Sequence, residues 1–198
     1  MLFRSVDNVP LRPDATRTVP AGAVGLDVKA ELRPGLVLDA TVNTDFAQVE
    51  VDDQQVNLTR FSLFFPEKRE FFLESATVFS FGGTASGTGD TPLLFYSRRI
   101  GLAGSREVPL IGGGRLTGRV GQFEVGAVSI RSDEEPFTRS PATTFSAFRV
   151  KKDILRQSSI GVLATNRTSG GAGLPESSFG VDGVFKFRKN VYSNIYWA

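Results

Sequence analysis

The chain has 198 residues, 40% of them hydrophobic and 22% charged, with 23 basic and 21 acidic side chains and a formal net charge of +2. It has no Cys and no His, which excludes disulfides, thiolate nucleophiles and Cys- or His-based metal sites and removes the commonest general base. Mean hydropathy is −0.07, no basic block offers a nucleic-acid footprint, and no apolar run approaches the roughly 18 residues of a transmembrane helix.

A transmembrane strand is not excluded by those figures, because it alternates apolar and polar residues and looks soluble on average. Residues 1–23 carry Pro10, Pro13 and Pro20 among scattered charges and predict an irregular connecting segment. The opening MLFRSVDNVPLRPD lacks the charged-then-apolar pattern of a signal peptide, so an exported protein is expected to start upstream of it. From Val24 the chain alternates: Val24, Leu26, Val28, Ala30 and Leu32 against Gly25, Asp27, Lys29, Glu31 and Arg33. That period of two predicts a strand with one apolar face. Pro34-Gly35 supplies a turn, and Leu36, Leu38, Ala40 and Val42 continue the pattern against Asp39, Thr41 and Asn43, completing a hairpin.

Residues 44–60 hold a further short alternation, Val49 and Val51 against Glu50 and Asp52. The segment FSLFFPEKREFFLE, Phe61 to Glu74, then sets Phe61, Phe64, Phe65, Phe71 and Phe72 around the charged run Glu67-Lys68-Arg69-Glu70. Pro66 suits the first position of a short helix, with Glu67 favoured in its first turn. Residues 80–92 are rich in Gly, Ser and Thr and predict a mobile loop.

Strand candidates follow at 93–100, 108–120, 123–131, 143–152, 158–167, 178–188 and 191–198. Their connections alternate between short (121–122, 153–157, 189–190) and long (132–142, 168–177), the up-and-down arrangement of an outer-membrane barrel. In the strand at 178–188, Phe179, Val181, Gly183, Phe185 and Phe187 share a face, opposite Gly180, Asp182, Lys186 and Arg188, with Val184 the exception. Phe179 and Phe187 are eight residues apart, roughly 26 Å of strand and, at a ~40° tilt, about 20 Å of membrane normal, near the ~25 Å apolar band. Tyr192, Tyr196 and Trp197 are candidate interfacial anchors. A half-buried strand of a soluble sandwich shares the same alternation. The expected fold is therefore all-β: antiparallel up-and-down strands over 24–198 forming part of a transmembrane β-barrel, with a short helical or irregular Phe-rich insert near 60–75.

NTDFAQVEVDDQQVNLTRFSLFFPEKREFFLE (43–74), LLFYSRRIGL (93–102) and VPLIGGGRLTGR (108–119) resemble the outer-membrane β-barrel domain of unknown function found C-terminal to family-nine-like carbohydrate-binding modules in Gram-negative bacteria. The resemblance spans about Val24 to Arg167. It implies an exported barrel with a glycan-binding module upstream, of which this chain, ending within a predicted strand, is a fragment. It supplies no catalytic or ligand residues.

Other patterns carry little chemistry. Asp45, Glu50, Asp52 and Asp53 could hold Ca²⁺ through carboxylate oxygens, yet lack the spacing of a calcium loop. The same residues as a glycosidase pair would need a sugar cleft between them. Gly112-Gly113-Gly114 with Gly118 falls short of a dinucleotide loop, because Arg115 to Val120 continues as strand. Asn57-Leu58-Thr59 and Asn166-Arg167-Thr168 match glycosylation sequons, which are empty in a bacterial context. Phe61–Glu74 has three readings: a lumenal plug with Lys68 and Arg69 paired to Glu67, Glu70 or Glu74, a rim element contacting the upstream module, or a local packing core. No catalytic, cofactor or metal residue is assigned. The leading expectation is a non-enzymatic outer-membrane protein, with lipid as partner and carbohydrate reached through the upstream module. A soluble β-sandwich binding module and a surface glycan hydrolase are the alternatives.

Overall fold

The computed structural model describes residues 3–10, 16–23, 25–43, 66–74, 76–83, 92–103, 106–155, 157–171, 173–188 and 191–198. The prolines at the N-terminal end do not prevent pairing. Strand β1 (Phe3–Pro10) and strand β2 (Thr16–Ala23) form an antiparallel hairpin where an irregular segment was expected, with Pro20 opposite Val6. In a two-stranded ribbon each strand has an outer edge, where a missing N–H costs no ladder bond.

β3 (Leu26–Arg33) and β4 (Leu36–Val42) form the predicted hairpin around Pro34-Gly35, with Gly35 at φ 82°, a backbone region that glycine enters without a Cβ penalty. The predicted short helix exists but starts later than Pro66: α1 is the single turn Glu70–Leu73, with Arg69 at its N-cap. A 3-10 turn covers Ala76–Phe79. Residues 93–100, expected as a strand, instead run irregularly into a 3-10 turn at Ser97–Arg99, and β5 (Leu102–Ala103) with β6 (Arg106–Glu107) makes a minimal hairpin. The buried side chains of this stretch, Arg98 and Ile100, are two residues apart and mimic strand alternation.

The regular run begins with β7 (Leu110–Val120) and continues through β8 (Phe123–Ser132), β9 (Thr143–Leu155), β10 (Ser158–Ser169), β11 (Glu176–Arg188) and β12 (Val191–Trp197). All join β3 and β4 in one eight-stranded antiparallel sheet ordered β12-β11-β10-β9-β8-β7-β4-β3. Neighbours in space are neighbours in sequence except at the β4–β7 seam, where Asp39 faces Arg115 across the ladder. β3 and β12 do not pair with each other, so the sheet is open and is not a closed barrel.

The two faces are unlike. One carries Leu26, Val28 and Leu32 on β3, Phe123 on β8, Phe148 on β9, Phe179 and Phe187 on β11 and Trp197 on β12, all exposed. The opposite face buries Asp39, Thr41, Arg115, Thr117, Arg149 and Asp182. The described residues between β4 and β7 lie against this second face and supply much of the core: Phe72, Val78, Phe79, Phe81 and Ile100 pack with Val128, Ile130, Ala147 and Leu163 of the sheet. Tyr196 lies on the covered side, its ring 6.3 Å from that of Phe81, and so does not share the exposed face with Trp197.

Candidate functional site: an insert seated on the polar face

Two charge clusters and two glycine sockets hold the insert. The first cluster grows from strand register. Lys29 of β3 faces Asp39 of β4, and Asp39 faces Arg115 of β7, so three neighbouring strands carry plus, minus, plus in one row. Cross-strand opposite charges of this kind stabilise a sheet. Arg115 Nη2 donates to Asp39 Oδ2 at 2.5 Å and to Glu74 Oε2 at 2.8 Å. Its Nη1 donates to the carbonyls of Phe71 and Glu74, and its guanidinium lies 5.0 Å from the centroid of the Phe71 ring. Lys29 adds an ion pair to the Glu74 carboxylate. The C-terminal end of α1 is thereby fastened to a sheet cation, which favours its carbonyl end. Hydrogen bonds from Lys29 and Arg115 hold the Glu74 carboxyl below the ordinary glutamate range.

The second cluster is more deeply buried. Arg149 of β9, 1% exposed, reaches across β10 to Asp182 of β11, 6% exposed, with Nη1–Oδ1 at 2.5 Å and Nη2–Oδ2 at 2.8 Å. It can cross because β10 has Gly161 at that point, where an added methyl would lie 3.0 Å from Arg149 Cζ. Asp182 Oδ2 also accepts from the backbone N–H of Gly82, at 3.1 Å, which ties the insert to the pair. The fork-to-carboxylate geometry and the third donor offset part of the pair's desolvation, while the buried Arg149 Nε has no hydrogen-bond partner among the described residues.

Between the clusters the sheet makes room for side chains. A methyl at Gly126 of β8 would lie 2.7 Å from Val78 Cγ1, and one at Gly180 of β11 would lie 2.6 Å from Phe81 Cζ and from Leu94 Cδ1. These strand glycines are sockets for the insert's apolar side chains. The insert is also bonded to itself. Arg69 donates to Ile100 O at 2.7 Å and Ser97 O at 2.8 Å, and pairs with Glu67 at 2.8 Å, so residues 67–69 are stapled to residues 97–100. Burial would raise the Glu67 carboxyl, but the Arg69 hydrogen bonds and charge, with Ser97 Oγ donating at 2.7 Å, bring it below its ordinary value. Beside Glu74 a cavity of about 450 Å³ remains between insert and sheet, its lining mixed: Asp39, Arg115, Arg119 and Glu124 alongside Val37 and Val78.

Of the residues singled out from sequence, Arg69 and Glu67 form the expected pair, and Gly112, Gly113, Gly114 and Gly118 lie in β7, as a strand reading requires. Asn166 of the second sequon lies on β10, its Nδ2 donating to Ser177 Oγ at 2.9 Å. Asp45, Glu50, Asp52, Asp53, Phe61, Phe64, Phe65, the Asn57 sequon and most of the 80–92 loop lie outside the described residues. Among the described residues no group of three or more acidic side chains is placed to hold a metal ion. Sequence reasoning missed Arg115, Arg149 and Asp182 as the fastening points. The available signal was weak: each strand carries more than one charge, and nothing in its own residues sets Arg115, Arg149 or Asp182 apart.

Among the described residues, the molecule is an open antiparallel sheet with a polar face covered by the insert and an apolar face that is exposed. Residues 10–111, just over half of the chain, match the family described as Domain of unknown function (DUF5916). The chain belongs to that family, and the match takes in β3, β4 and the entire insert. No curated protein and no solved structure matches the chain.

Proposed function

We propose that the sheet is part of the wall of an outer-membrane β-barrel, with its bare face against lipid and the insert seated on the lumenal face as a plug. One observation carries this reading: the polarity of the sheet is inverted relative to a soluble one. A soluble sheet hides its apolar face and wets its polar one. Here the Arg149–Asp182 and Arg115–Asp39 pairs are buried under the insert, and leucines, valines and phenylalanines are exposed across the sheet's other face. An exposed patch of this extent marks a surface made for an apolar environment.

The outer face also has a boundary. Phe148, Ala164 and Phe179 stand in one row by register, and the next row, toward the long loops, is Ser129, Ser146, Asn166 and Ser177. Ser129 Oγ and Ser146 Oγ are 3.0 Å apart, so these polar groups bond sideways within the row. From Phe148 down to Ile154 the face of β9 is apolar apart from Lys152, about 20 Å of strand. Lys152 lies near Phe123 at the short-turn end, where a lysine stem can reach an interface. The protein's role on this reading is non-enzymatic, in uptake or surface handling of carbohydrate or a related polymer. The carbohydrate part follows from the resemblance carried by residues 43–74 and 93–119.

Trp197 is the chain's single tryptophan and stands 69% exposed on the outer face. In vesicles containing lipids brominated along the acyl chain, its fluorescence should be blue-shifted and quenched. A water-soluble monomer in detergent-free buffer, with unquenched Trp197 in the presence of such vesicles, would sink the membrane reading and favour a soluble binding module. The carbohydrate part is checked in cells lacking the gene, where uptake of labelled oligosaccharides should fall; unchanged uptake across a panel removes it.

A further inference from the structure

We propose that the outer face carries a seat for one phospholipid, with the phosphate on Arg131, the headgroup ammonium on Asp133, and the esters and upper chains in a trough beside them. This deepens the membrane reading above and rests on it. The trough follows from strand register. Leu38, Leu116, Ala127, Phe148, Ala164 and Phe179 stand side by side on β4, β7, β8, β9, β10 and β11. From Leu116 onward large and small side chains alternate, so the two alanines leave gaps between the leucine and the phenylalanine rings. This row and the Ser129-Ser146-Asn166-Ser177 row beside it line a cavity of about 650 Å³. That volume falls within the ~300–1,000 Å³ range of small-molecule sites.

The occupant is read from the order of chemistry along β8. Val128, Ile130 and Ser132 are buried, so Ala127, Ser129 and Arg131 face outward. Asp133 takes the next outward place, exposed, with its N–H still bonded to Pro109 O at 2.8 Å. Successive places lie roughly 7 Å apart along the strand. Moving away from the apolar rows, the face therefore offers methyl, hydroxyl, cation and acid. A phospholipid with an ethanolamine head presents the complement in the same order: chain, ester, phosphate and ammonium. The fork of N–H donors on an arginine suits a phosphate. Both charges are available for this use. Among the described residues neither Arg131 nor Asp133 is in an ion pair, whereas Arg119, Lys151 and Arg167 each have a carboxylate partner. One Asp133 carboxylate oxygen accepts the Glu134 N–H at 2.9 Å, which leaves the other for an ammonium. Beside Arg131 in its row stand Gly112 and Thr144, small and uncharged, which gives a headgroup width.

Native mass spectrometry reads the seat directly. The full chain is released from micelles doped with phosphatidylethanolamine, phosphatidylcholine or phosphatidylglycerol carrying identical acyl tails. One phosphatidylethanolamine should be retained severalfold more often than either rival. The choline ammonium has no N–H to donate to Asp133, and the glycerol head has no cation. Arg131→Gln should bring all three lipids to the same low retention. Asp133→Asn should lower phosphatidylethanolamine to the level of phosphatidylglycerol. Ala164→Phe, which fills the trough, should release the lipid with the headgroup contacts intact. Equal retention of the three lipids by the unaltered chain means non-selective contact only and would overturn the seat. So would full phosphatidylethanolamine retention in Arg131→Gln or Ala164→Phe, or an unchanged lipid preference in Asp133→Asn. Failure here is distinct from failure of the membrane reading: Trp197 quenched by brominated tails, with equal retention of the three lipids, keeps the face in lipid and removes the seat.

Discussion

Asp182 is the residue whose loss should be felt most. Replacing it with Ala leaves the Arg149 guanidinium, 1% exposed, without its counter-ion and removes the acceptor of the Gly82 N–H. Breaking one partner of a buried pair costs roughly 3–5 kcal/mol, and an orphaned buried donor adds about 1 kcal/mol or more. The expected loss is therefore about 4–6 kcal/mol, a large part of the roughly 5–15 kcal/mol by which a folded protein is stable. The double replacement Arg149→Met, Asp182→Leu removes both charges at once and should cost far less than the sum of the single changes, leaving mainly the unbonded Gly82 N–H. Urea unfolding of the refolded chain in micelles, followed by Trp197 emission, measures all four corners of the cycle. A loss below about 1 kcal/mol for Asp182→Ala, or simple additivity in the double variant, would refute the claim that this pair is buried and mutually dependent.

Gly180→Ala would press a methyl to 2.6 Å from Phe81 and Leu94 and should cost about 1–3 kcal/mol, with Phe81→Leu restoring part of it in the same unfolding assay. Gly183→Ala, whose methyl would lie 2.7 Å from the Phe185 ring on the outward face, should cost less than Gly180→Ala, because the atoms it meets are the far end of one side chain. On the apolar face, Val162→Arg should cost about 2–4 kcal/mol when folding is measured in lipid vesicles, whereas an effect within about 0.5 kcal/mol would mark that surface as wetted. The Glu67 and Glu74 carboxyls are held below the ordinary glutamate value of 4.5, so their contribution is present at neutral pH and is lost as pH falls through the depressed values. Limited proteolysis should accordingly cut the 66–74 stretch faster well below about pH 4 than at pH 7, while the sheet stays resistant; equal cutting at both would refute this.

The strands were legible because alternation is a local property. Leu26 to Arg33, Leu36 to Val42 and every strand from Leu110 onward declare a face in their own residues. What alternation does not declare is which face is covered, since Phe179 and Asp182 are read equally well with either one inward. That is settled by the insert, whose contacts join residues such as Arg115 and Glu74 that lie 41 apart in sequence. The prolines of residues 1–23 concealed a hairpin, because a strand with a free edge tolerates Pro20. Residues 93–100 misled for the opposite reason: Arg98 and Ile100 are buried two apart within a 3-10 turn and its end. Gly126, Gly161 and Gly180, which nothing in the local sequence sets apart, are spaces occupied by side chains from elsewhere.

The seam between β4 and β7 has a kinetic consequence. From β7 to β12 each strand pairs with the next along the chain, so that part of the sheet can assemble through short-range closures. The seam instead joins Val42 to Gly112 across the whole insert, and closing so long a loop carries an entropic cost before any contact rewards it. Arg115 stands at that seam bonded at once to Asp39 of β4 and to the insert's Phe71 and Glu74. A chain that has laid its insert onto β7–β11 has already brought Glu74 beside Arg115, and the β3–β4 hairpin then has only a short distance left to dock. The insert would thus serve as a folding template for the last two strands, and loss of the Glu74 carboxylate that bonds Arg115 should slow their addition far more than it slows the rest.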